Sequence, residues 1–140
     1  MSHPIEQLPV LLQKAREAAV AGTRDVLATH GLTEQQWRVM RTAFECGELN
    51  AQELASRSAI LGPSLSRILN RLEADGLLQR KTAKNDMREL TIKLSAAGRR
   101  LHNKLQPALT RNYDAFAEKV GPRKMKQLDD LLTYVSGLKP

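Results

Sequence analysis

The fold is decided by residues 50–94, which read NAQELASRSAILGPSLSRILNRLEADGLLQRKTAKNDMRELTIKL. A capping box at 50–53 predicts the start of a short helix over 50–57, because the Asn and Glu side chains can each satisfy a backbone amide of the other. Pro63 then occupies the first turn of a second helix over 62–75, a position that proline favours. Two short helices joined by a tight turn predict a helix-turn-helix.

A predicted strand pair follows these two helices directly. Residues 77–82 and 89–94 are read as strands, and the second alternates leucine or isoleucine with polar side chains. The polar, turn-prone residues 83–88 join the two strands into a hairpin. A helix-turn-helix pattern alone is a weak signal, since any short helical hairpin resembles one. The basic hairpin that follows it is the discriminating feature and predicts a winged helix.

Helical patterns also precede this region. Apolar residues at three- and four-residue spacing predict a helix from Ile5 to about Thr29. A second capping box at 33–36 opens a helix that ends near Gly47. The large side chains that this helix is expected to turn inward are Trp37, Met40 and Phe44.

Two more helices are predicted after the hairpin. Ser95 can cap a long helix from about Ala96 to Lys119, and Gly121-Pro122 separates it from a last helix. The predicted fold class is therefore mainly α, a winged helix-turn-helix with a small β-hairpin wing and further helices at both ends of the chain.

The charge balance points to a polyanionic partner. The 140 residues carry 22 Lys or Arg against 15 Asp or Glu, a net charge of +7. Residues 57–100 hold ten of the basic and four of the acidic residues, whereas residues 1–30 hold three of each. Such regional basicity suits nucleic acid or an anionic membrane surface. No apolar run approaches the roughly 20 residues that a membrane span needs, so no membrane is expected as a partner.

The second helix of the helix-turn-helix offers side chains suited to DNA. Ser, Asn and Arg on a helix face read base edges and bind phosphates in a major groove. A solvated face with an incidental excess of arginine is the alternative interpretation. The candidate DNA-binding residues of this helix are Ser64, Ser66, Arg67, Asn70 and Arg71.

The tip of the hairpin supplies three further candidates. Lys84 and Arg88 are placed to enter the adjacent minor groove or to hold phosphates. Asp86 is expected to brace Arg88 or to cap the turn, because its carboxylate would repel phosphate. A plain surface hairpin is the alternative.

One recognition helix makes too few phosphate contacts for tight specific binding, so such modules usually act as dimers on pseudo-palindromic double-stranded DNA. The helices at both ends carry apolar stripes that a second copy would cover. We expect a single subunit over 1–140, with a winged-helix DNA-binding region at 32–95 and dimerisation helices at 1–31 and 96–140.

Several motifs together resemble the MarR family of winged-helix regulators. They are Leu32-Thr33-Glu34-Gln35-Gln36-Trp37-Arg38-Val39, Glu53-Leu54-Ala55, Leu72-Glu73-Ala74-Asp75-Gly76-Leu77, Asp86-Met87-Arg88 and Leu94-Ser95-Ala96-Ala97-Gly98. The resemblance covers essentially the entire chain. It implies a transcriptional regulator that binds DNA as a homodimer, most often a repressor.

Within that family the chain is similar to the homoprotocatechuate-degradation operon regulators (the HpaR type), through residues 14–18, 32–39 and 60–65. This similarity implies a repressor of aromatic catabolism released by a small aromatic acid. In relatives the wing tip is often more basic than Met87-Arg88-Glu89, so its DNA contacts are expected to be weaker here.

The resemblance also implies an effector site between the dimerisation helices and the winged-helix region. The candidate effector-binding residues are Arg16, for a carboxylate, and Trp37, Arg38 and Arg41 for stacking and further positive charge. The alternatives are a core role for Trp37 and a salt bridge for Arg16, for example with Glu17 of a partner.

Other classes of function find less support. Cys46 admits a thiol-based redox sensor, although a small buried core residue is the favoured interpretation. A lone cysteine and the absence of a signal-peptide pattern indicate a reducing, cytoplasmic location. His3, His30 and His102 are isolated and are interpreted as surface or capping residues, so no metal site is expected. No catalytic motif and no cofactor motif is found, so no enzyme is predicted; a non-specific basic DNA-binding protein remains an alternative.

Overall fold

The computed structural model describes residues 4–83 and 86–140, and at residues 4, 83 and 86–90 it describes the backbone alone. These residues form a 3₁₀ turn at Pro4–Gln7, six α-helices and two strands. The elements are α1 (Leu8–Ala28), α2 (Glu34–Cys46), α3 (Ala51–Ser58), α4 (Gly62–Ala74), β1 (Leu78–Ala83), β2 (Asp86–Leu94), α5 (Ala96–Val120) and α6 (Pro122–Ser136). The predicted element order and the mainly α fold class with a β-hairpin are confirmed.

Both predicted capping boxes are present. The Thr33 hydroxyl accepts from the Gln36 amide at 3.1 Å, and the Gln36 side chain accepts from the Thr33 amide at 3.0 Å. At the start of α3, the Asn50 side chain accepts from the Glu53 amide at 2.8 Å, and Glu53 accepts in return at 3.4 Å. Each box satisfies two amides that a helix start otherwise leaves unpaired.

The described residues form two compact units. One unit is Arg24–Pro107 and contains α2, α3, α4, the hairpin and the first part of α5. Its core is aliphatic, with side chains that are almost completely buried on three helices and both strands. Examples are Val39, Met40, Leu54, Leu72, Leu78 and Ile92.

The hairpin pairs β1 and β2 in an antiparallel register that sets Leu78 opposite Leu94 and Arg80 opposite Ile92. Leu49 adds a bridge beyond β2: its amide donates to the Ile92 carbonyl at 3.0 Å and its carbonyl accepts at 2.7 Å. The second strand begins at Asp86, earlier than the predicted residue 89, so the turn is shorter than its polar sequence suggested.

A hydrogen-bonded junction ties the end of α4 to the start of α5. The Ser95 hydroxyl donates to the Gly76 carbonyl at 2.7 Å and accepts from the Gly98 amide at 3.0 Å, which confirms the predicted cap. The Ser95 amide donates to the Leu77 carbonyl at 3.1 Å. Gly98 lies so close to that carbonyl that a Cβ atom there would overlap its oxygen.

The other unit comprises the described residues up to Thr23 together with Ala108–Pro140. Asn112 of α5 donates to the Gly22 carbonyl of α1 at 3.3 Å. In α6 no residue is buried, although the helix carries Leu131, Leu132 and Val135. None of the helices in the described part of the chain is long and apolar enough to span a membrane.

Candidate nucleic-acid interface and ligand site

The helix α4 has an apolar face and a polar face. The inward side chains are buried: Leu65, Ile68, Leu69 and Leu72. On the opposite side the candidate residues Ser66, Arg67, Asn70 and Arg71 are exposed, and Ser64 is half-buried at its edge. The structure therefore brings all five candidate residues of this helix onto one accessible side.

The entrance to α4 holds an exposed leucine that the sequence analysis did not single out. Ala59 ends α3 in the left-handed region with φ of 55°, and two residues later the side chain of Leu61 is 81% exposed. Leu61 precedes the first turn of α4, which has no side-chain cap. An apolar side chain here is suited to contact a thymine methyl group. The sequence could have indicated this exposure, because an apolar residue in a tight turn between two helices has little core to enter.

A second missed residue is Arg80 on β1. Its Nη2 atom donates to Asn70 Oδ1 at 2.8 Å and to Glu73 Oε1 at 2.9 Å, while its Nε atom donates to Glu73 Oε2 at 3.1 Å. The hydrogen bond from Arg80 lowers the pKa of the Glu73 carboxyl and raises the pKa of Arg80 itself. Strand alternation from buried Leu78 would have placed Arg80 on the side of the hairpin that faces α4.

The two arginines of the polar face differ in their surroundings. Arg71 Nε lies 3.1 Å from Oδ2 of Asp75, the residue that caps the C-terminal end of α4, in an ion pair. Arg67 is exposed, and it takes part in no ion pair with any residue whose side chain the structure describes. Its charge is therefore the more available of the two for a phosphate.

The predicted residues of the hairpin tip are Lys84, Asp86 and Arg88. Lys84 lies outside the described residues, and of Asp86 and Arg88 only the backbone in β2 is described, so their predicted contacts stay predictions.

Consecutive residues of α2 hold two buried donors. Trp37 is 3% exposed, and its indole Nε1–H has no acceptor among the described residues. The same holds for Nε of Arg38, whose Nη2 lies 3.4 Å from Glu34 Oε2. Buried donors without a partner are costly and therefore rare, and these two sit where the sequence predicted a ligand.

The other two predicted effector residues have different settings. Arg41 lies on the exposed side of α2, and its Nε donates to Glu45 Oε1 at 3.0 Å. Arg16 is half-buried on α1, in the unit that contains the chain ends, and it has an interaction partner in this structure.

The histidine at position 102 is not a surface residue, and that prediction was wrong. His102 on α5 is 1% exposed and lies between two aromatic rings of α2. Its ring centroid is 5.0 Å from that of Trp37 and 3.8 Å from that of Phe44, with interplanar angles of 11° and 13°. Burial lowers the pKa of His102, and Arg41 acts in the same direction, while Asn103 and Glu45 oppose the shift.

Two further details of α2 differ from expectation. Phe44 was predicted to turn inward, but it is 37% exposed, because one face of its ring covers His102 instead of entering the core. Cys46 was favoured as a buried core residue and is half-buried at the last position of the helix.

Comparison with known proteins identifies the family to which this chain is related. Residues 32–90 match the sequence model of the MarR family. The chain is 40% identical over 127 residues to the homoprotocatechuate degradative operon repressor of Escherichia coli, covering 91% of this chain and 86% of that protein. It is also 40% identical over 125 residues to the HTH-type transcriptional regulator FarR of Neisseria gonorrhoeae, covering 89% and 86%.

Among solved structures, NadR in complex with 4-hydroxyphenylacetate superposes with a TM-score of 0.85 at 37% identity, covering 99% of both chains. The curated relatives are transcriptional regulators by name, and the structure has the polar face on α4 and the following hairpin of a winged-helix protein. The chain belongs to the MarR family of winged-helix transcriptional regulators.

Proposed function

We propose that this protein is a homodimeric, sequence-specific DNA-binding repressor of an aromatic-catabolism operon, released by a small aromatic acid. The observation that carries the proposal is the accessible polar face of α4, set on a buried apolar stripe in a winged-helix unit. The similarity to the homoprotocatechuate degradative operon repressor supports the choice of operon. Such a regulator acts in the cytoplasm and binds its effector without transforming it.

In this proposal α4 is the recognition helix. Arg67 supplies positive charge for phosphate or for a guanine edge, and Ser66 and Asn70 supply short polar groups for base edges. Ser64 and Arg71 lie at the margins of the same face. The hairpin tip, with Lys84, Asp86 and Arg88, is assigned to the neighbouring minor groove or the phosphate backbone.

The homodimer is proposed from exposed apolar surface in the unit that contains the chain ends. Val10 and Leu11 of α1 are 55% and 56% exposed, and Leu131 of α6 is 64% exposed. A groove of about 390 Å³ between α1 and α5 in this unit is lined mainly by small or aromatic residues, among them Ala18, Ala19, Gly22, Ala115 and Phe116. Apolar surface of this extent is typical of an interface, and a second copy is the occupant that a palindromic operator requires.

The effector site is proposed around Trp37 and Arg38. Their two unpaired donors suit one carboxylate or phenolate, which accepts several hydrogen bonds at once. The face of an aromatic effector can extend the existing ring stack. Arg41 and Arg16 are assigned supporting positive charge. NadR, a relative of similar fold, is known with 4-hydroxyphenylacetate, which has this chemistry. Effector binding favours a dimer whose recognition helices no longer fit the operator spacing.

Selection from a randomised DNA library by the purified protein, at about physiological salt, tests the DNA-binding proposal. A two-fold symmetric motif is the expected result, because two recognition helices read two half-sites about one helical turn apart. Retention of DNA without a shared motif would instead identify a non-specific basic binder.

The salt dependence of operator binding tests the role of Arg67. Arg67→Ala should reduce the slope of log K against log salt by about one unit per protomer if each guanidinium neutralises one phosphate. Lys126→Ala is the control, since Lys126 is exposed on α6 and ion-paired with Asp130. Wild-type slope in the Arg67 variant would remove Arg67 from the backbone contacts.

The effector site is tested by titrating 4-hydroxyphenylacetate into the protein and into its operator complex. Trp37→Phe keeps an aromatic ring in the stack but lacks the Nε1–H, so binding should weaken by about tenfold or more while operator affinity is retained. Arg38→Ala and Arg16→Ala should weaken the response similarly. The matched control ligand is 4-methylphenol, which lacks the carboxylate and should bind poorly to the wild type and to every variant. Equal binding by wild type and Trp37→Phe would contradict the assignment.

A further inference from the structure

The contact between Asn70 and Arg80 has a consequence for base recognition. Asn70 lies in the middle of the polar face of α4 and is exposed, yet its Oδ1 atom accepts from Arg80 at 2.8 Å. We propose that Arg80 is a positioning residue that sets the hydrogen-bonding polarity of Asn70, so that the amide presents its Nδ2 donors to DNA. This inference rests on the proposed function, in which α4 reads the operator.

The direction of the amide follows from the chemistry of the two groups. Guanidinium only donates, and the carboxamide has one acceptor end and one donor end. Because Arg80 can only donate, the end of the Asn70 amide that contacts it must be the oxygen. This leaves the NH₂ group as the end that is free to reach outward.

The guanidinium is itself held in place. Glu73 accepts from Nε of Arg80 at 3.1 Å and from Nη2 at 2.9 Å, the two-bond geometry in which a carboxylate fixes a guanidinium plane. Glu73 and Asn70 lie three residues apart and so share one side of α4. Arg80, on β1, thus bridges both side chains and links the recognition helix to the hairpin.

The polarity restricts which bases Asn70 can recognise. A free asparagine pairs with adenine through both amide ends, accepting from N6 and donating to N7. Arg80 holds the Oδ1 end of the amide towards β1, so the Nδ2 end is the one left to donate outward, and the matching groups are guanine O6 or N7, adenine N7 and thymine O4. Cytosine offers only a donor in the major groove and is the base that this arrangement rejects. Arg80 also compensates the charge of Glu73, which would otherwise oppose nearby phosphates.

DNA selection with matched variants tests this inference. Wild type should disfavour cytosine at one symmetric operator position, and Asn70→Ala should lose the preference there alone. Arg80→Lys keeps the charge but, as a compact point donor, does not hold Glu73 and Asn70 in the same plane. The base preference of the Arg80→Lys variant at that operator position should differ from the wild-type preference by about two- to tenfold, the range for one hydrogen bond. In the Asn70→Ala background, Arg80→Lys should have no further effect at that position.

Asn70→Asp provides a second measurement that does not alter Arg80. The aspartate places an oxygen at both ends, so the preference should move towards cytosine N4 or adenine N6, with lower total affinity through phosphate repulsion. Thermal unfolding checks that each variant is folded. If Arg80→Lys is not folded, the wild-type motif tests the polarity by itself, because an exclusive preference for adenine at that position would mean that Asn70 both accepts and donates and would contradict the role of Arg80.

The outcomes separate this inference from the function beneath it. A wild-type protein that enriches no motif defeats the proposed function and this inference together. A clear wild-type motif whose base preferences survive Arg80→Lys and Asn70→Asp unchanged leaves the repressor function standing, but it defeats the assignment of Arg80 together with the base-reading role of Asn70.

Discussion

His102 shows how much of a residue's chemistry is set by its neighbours. It lies between Trp37 and Phe44 at 1% exposure, and its proton is disfavoured mainly because burial penalises the charged ring. Asn103 and Glu45 reduce this effect without reversing it. The neutral imidazole is therefore the form that the folded protein favours.

A pH dependence of stability follows from the lowered pKa of His102. In the unfolded chain the histidine binds a proton as the pH falls through about 6.5, whereas in the folded state it does so only at lower pH. The unfolded state then holds more protons, so the free energy of unfolding should fall as the pH decreases below about 6.5. Denaturant titrations between pH 5 and 8 measure this slope. His102→Gln should flatten it, and equal slopes for both proteins would contradict the prediction.

Residue-scale prediction from sequence succeeded where the contacts are local. The Thr33–Gln36 and Asn50–Glu53 boxes each join residues three positions apart, and both formed as predicted. His102 was misjudged because its burial depends on packing of α5 against α2, which the spacing of residues along α5 does not reveal. Arg80 was missed for a related reason, since its partners lie on another element, across the turn that ends α4.

Among the elements, the junction of α4, the hairpin and α5 leaves no room for a side chain at Gly98. Gly98, in the first turn of α5, approaches the Leu77 carbonyl so closely that a Cβ would displace backbone. Leu94 Cδ2, 3.3 Å from that Cβ position, narrows the room for adjustment.

Gly98→Ala should therefore destabilise the protein by about 1–3 kcal/mol, although alanine is the better helix former. The matched control is Gly62→Ala in the first turn of α4, where a Cβ meets nothing within 4 Å and should be neutral or slightly stabilising. Chemical denaturation of both variants gives the two values. A Gly98 variant as stable as wild type would show that the junction relaxes freely.

At the same scale, the hairpin shows a limit of sequence patterns. The residues Asp86-Met87-Arg88 were read as a turn from their polarity, but their backbone belongs to β2. Of these three residues only Asp86 has a partner in the antiparallel register, Ala83, and the register shifts between Thr82 and Ala83, so side-chain alternation does not reveal this end of the hairpin. The position of the strands was predictable, whereas the length of the turn was not.

For the whole molecule, the proposed dimer interface is the exposed apolar surface of the unit that contains the chain ends. Because α6 has no buried residue in the single chain, a polar substitution there should cost the fold little. In a two-fold symmetric dimer both protomers contribute the same surface, so one substitution changes the interface at two places. Leu131→Glu should therefore weaken dimerisation by about 3 kcal/mol or more, at least a hundredfold in Kd.

Sedimentation equilibrium over a range of protein concentrations measures this effect. Leu61→Glu is the matched control, because Leu61 is even more exposed, at 81%, but lies before α4 in the other unit and should leave the dimer intact. A Leu131 variant that remains fully dimeric at low concentration would place the interface elsewhere.

The stack that Trp37 and Phe44 of α2 form with His102 of α5 also gives this molecule an intrinsic fluorescence signal. Trp37 is the only tryptophan in the chain, so all indole fluorescence arises from one buried position. That indole lies parallel to the imidazole of His102, and an imidazolium quenches indole emission more strongly than the neutral ring does. Intrinsic emission thus follows, without any label, both the protonation of His102 and the arrival of another aromatic ring beside Trp37.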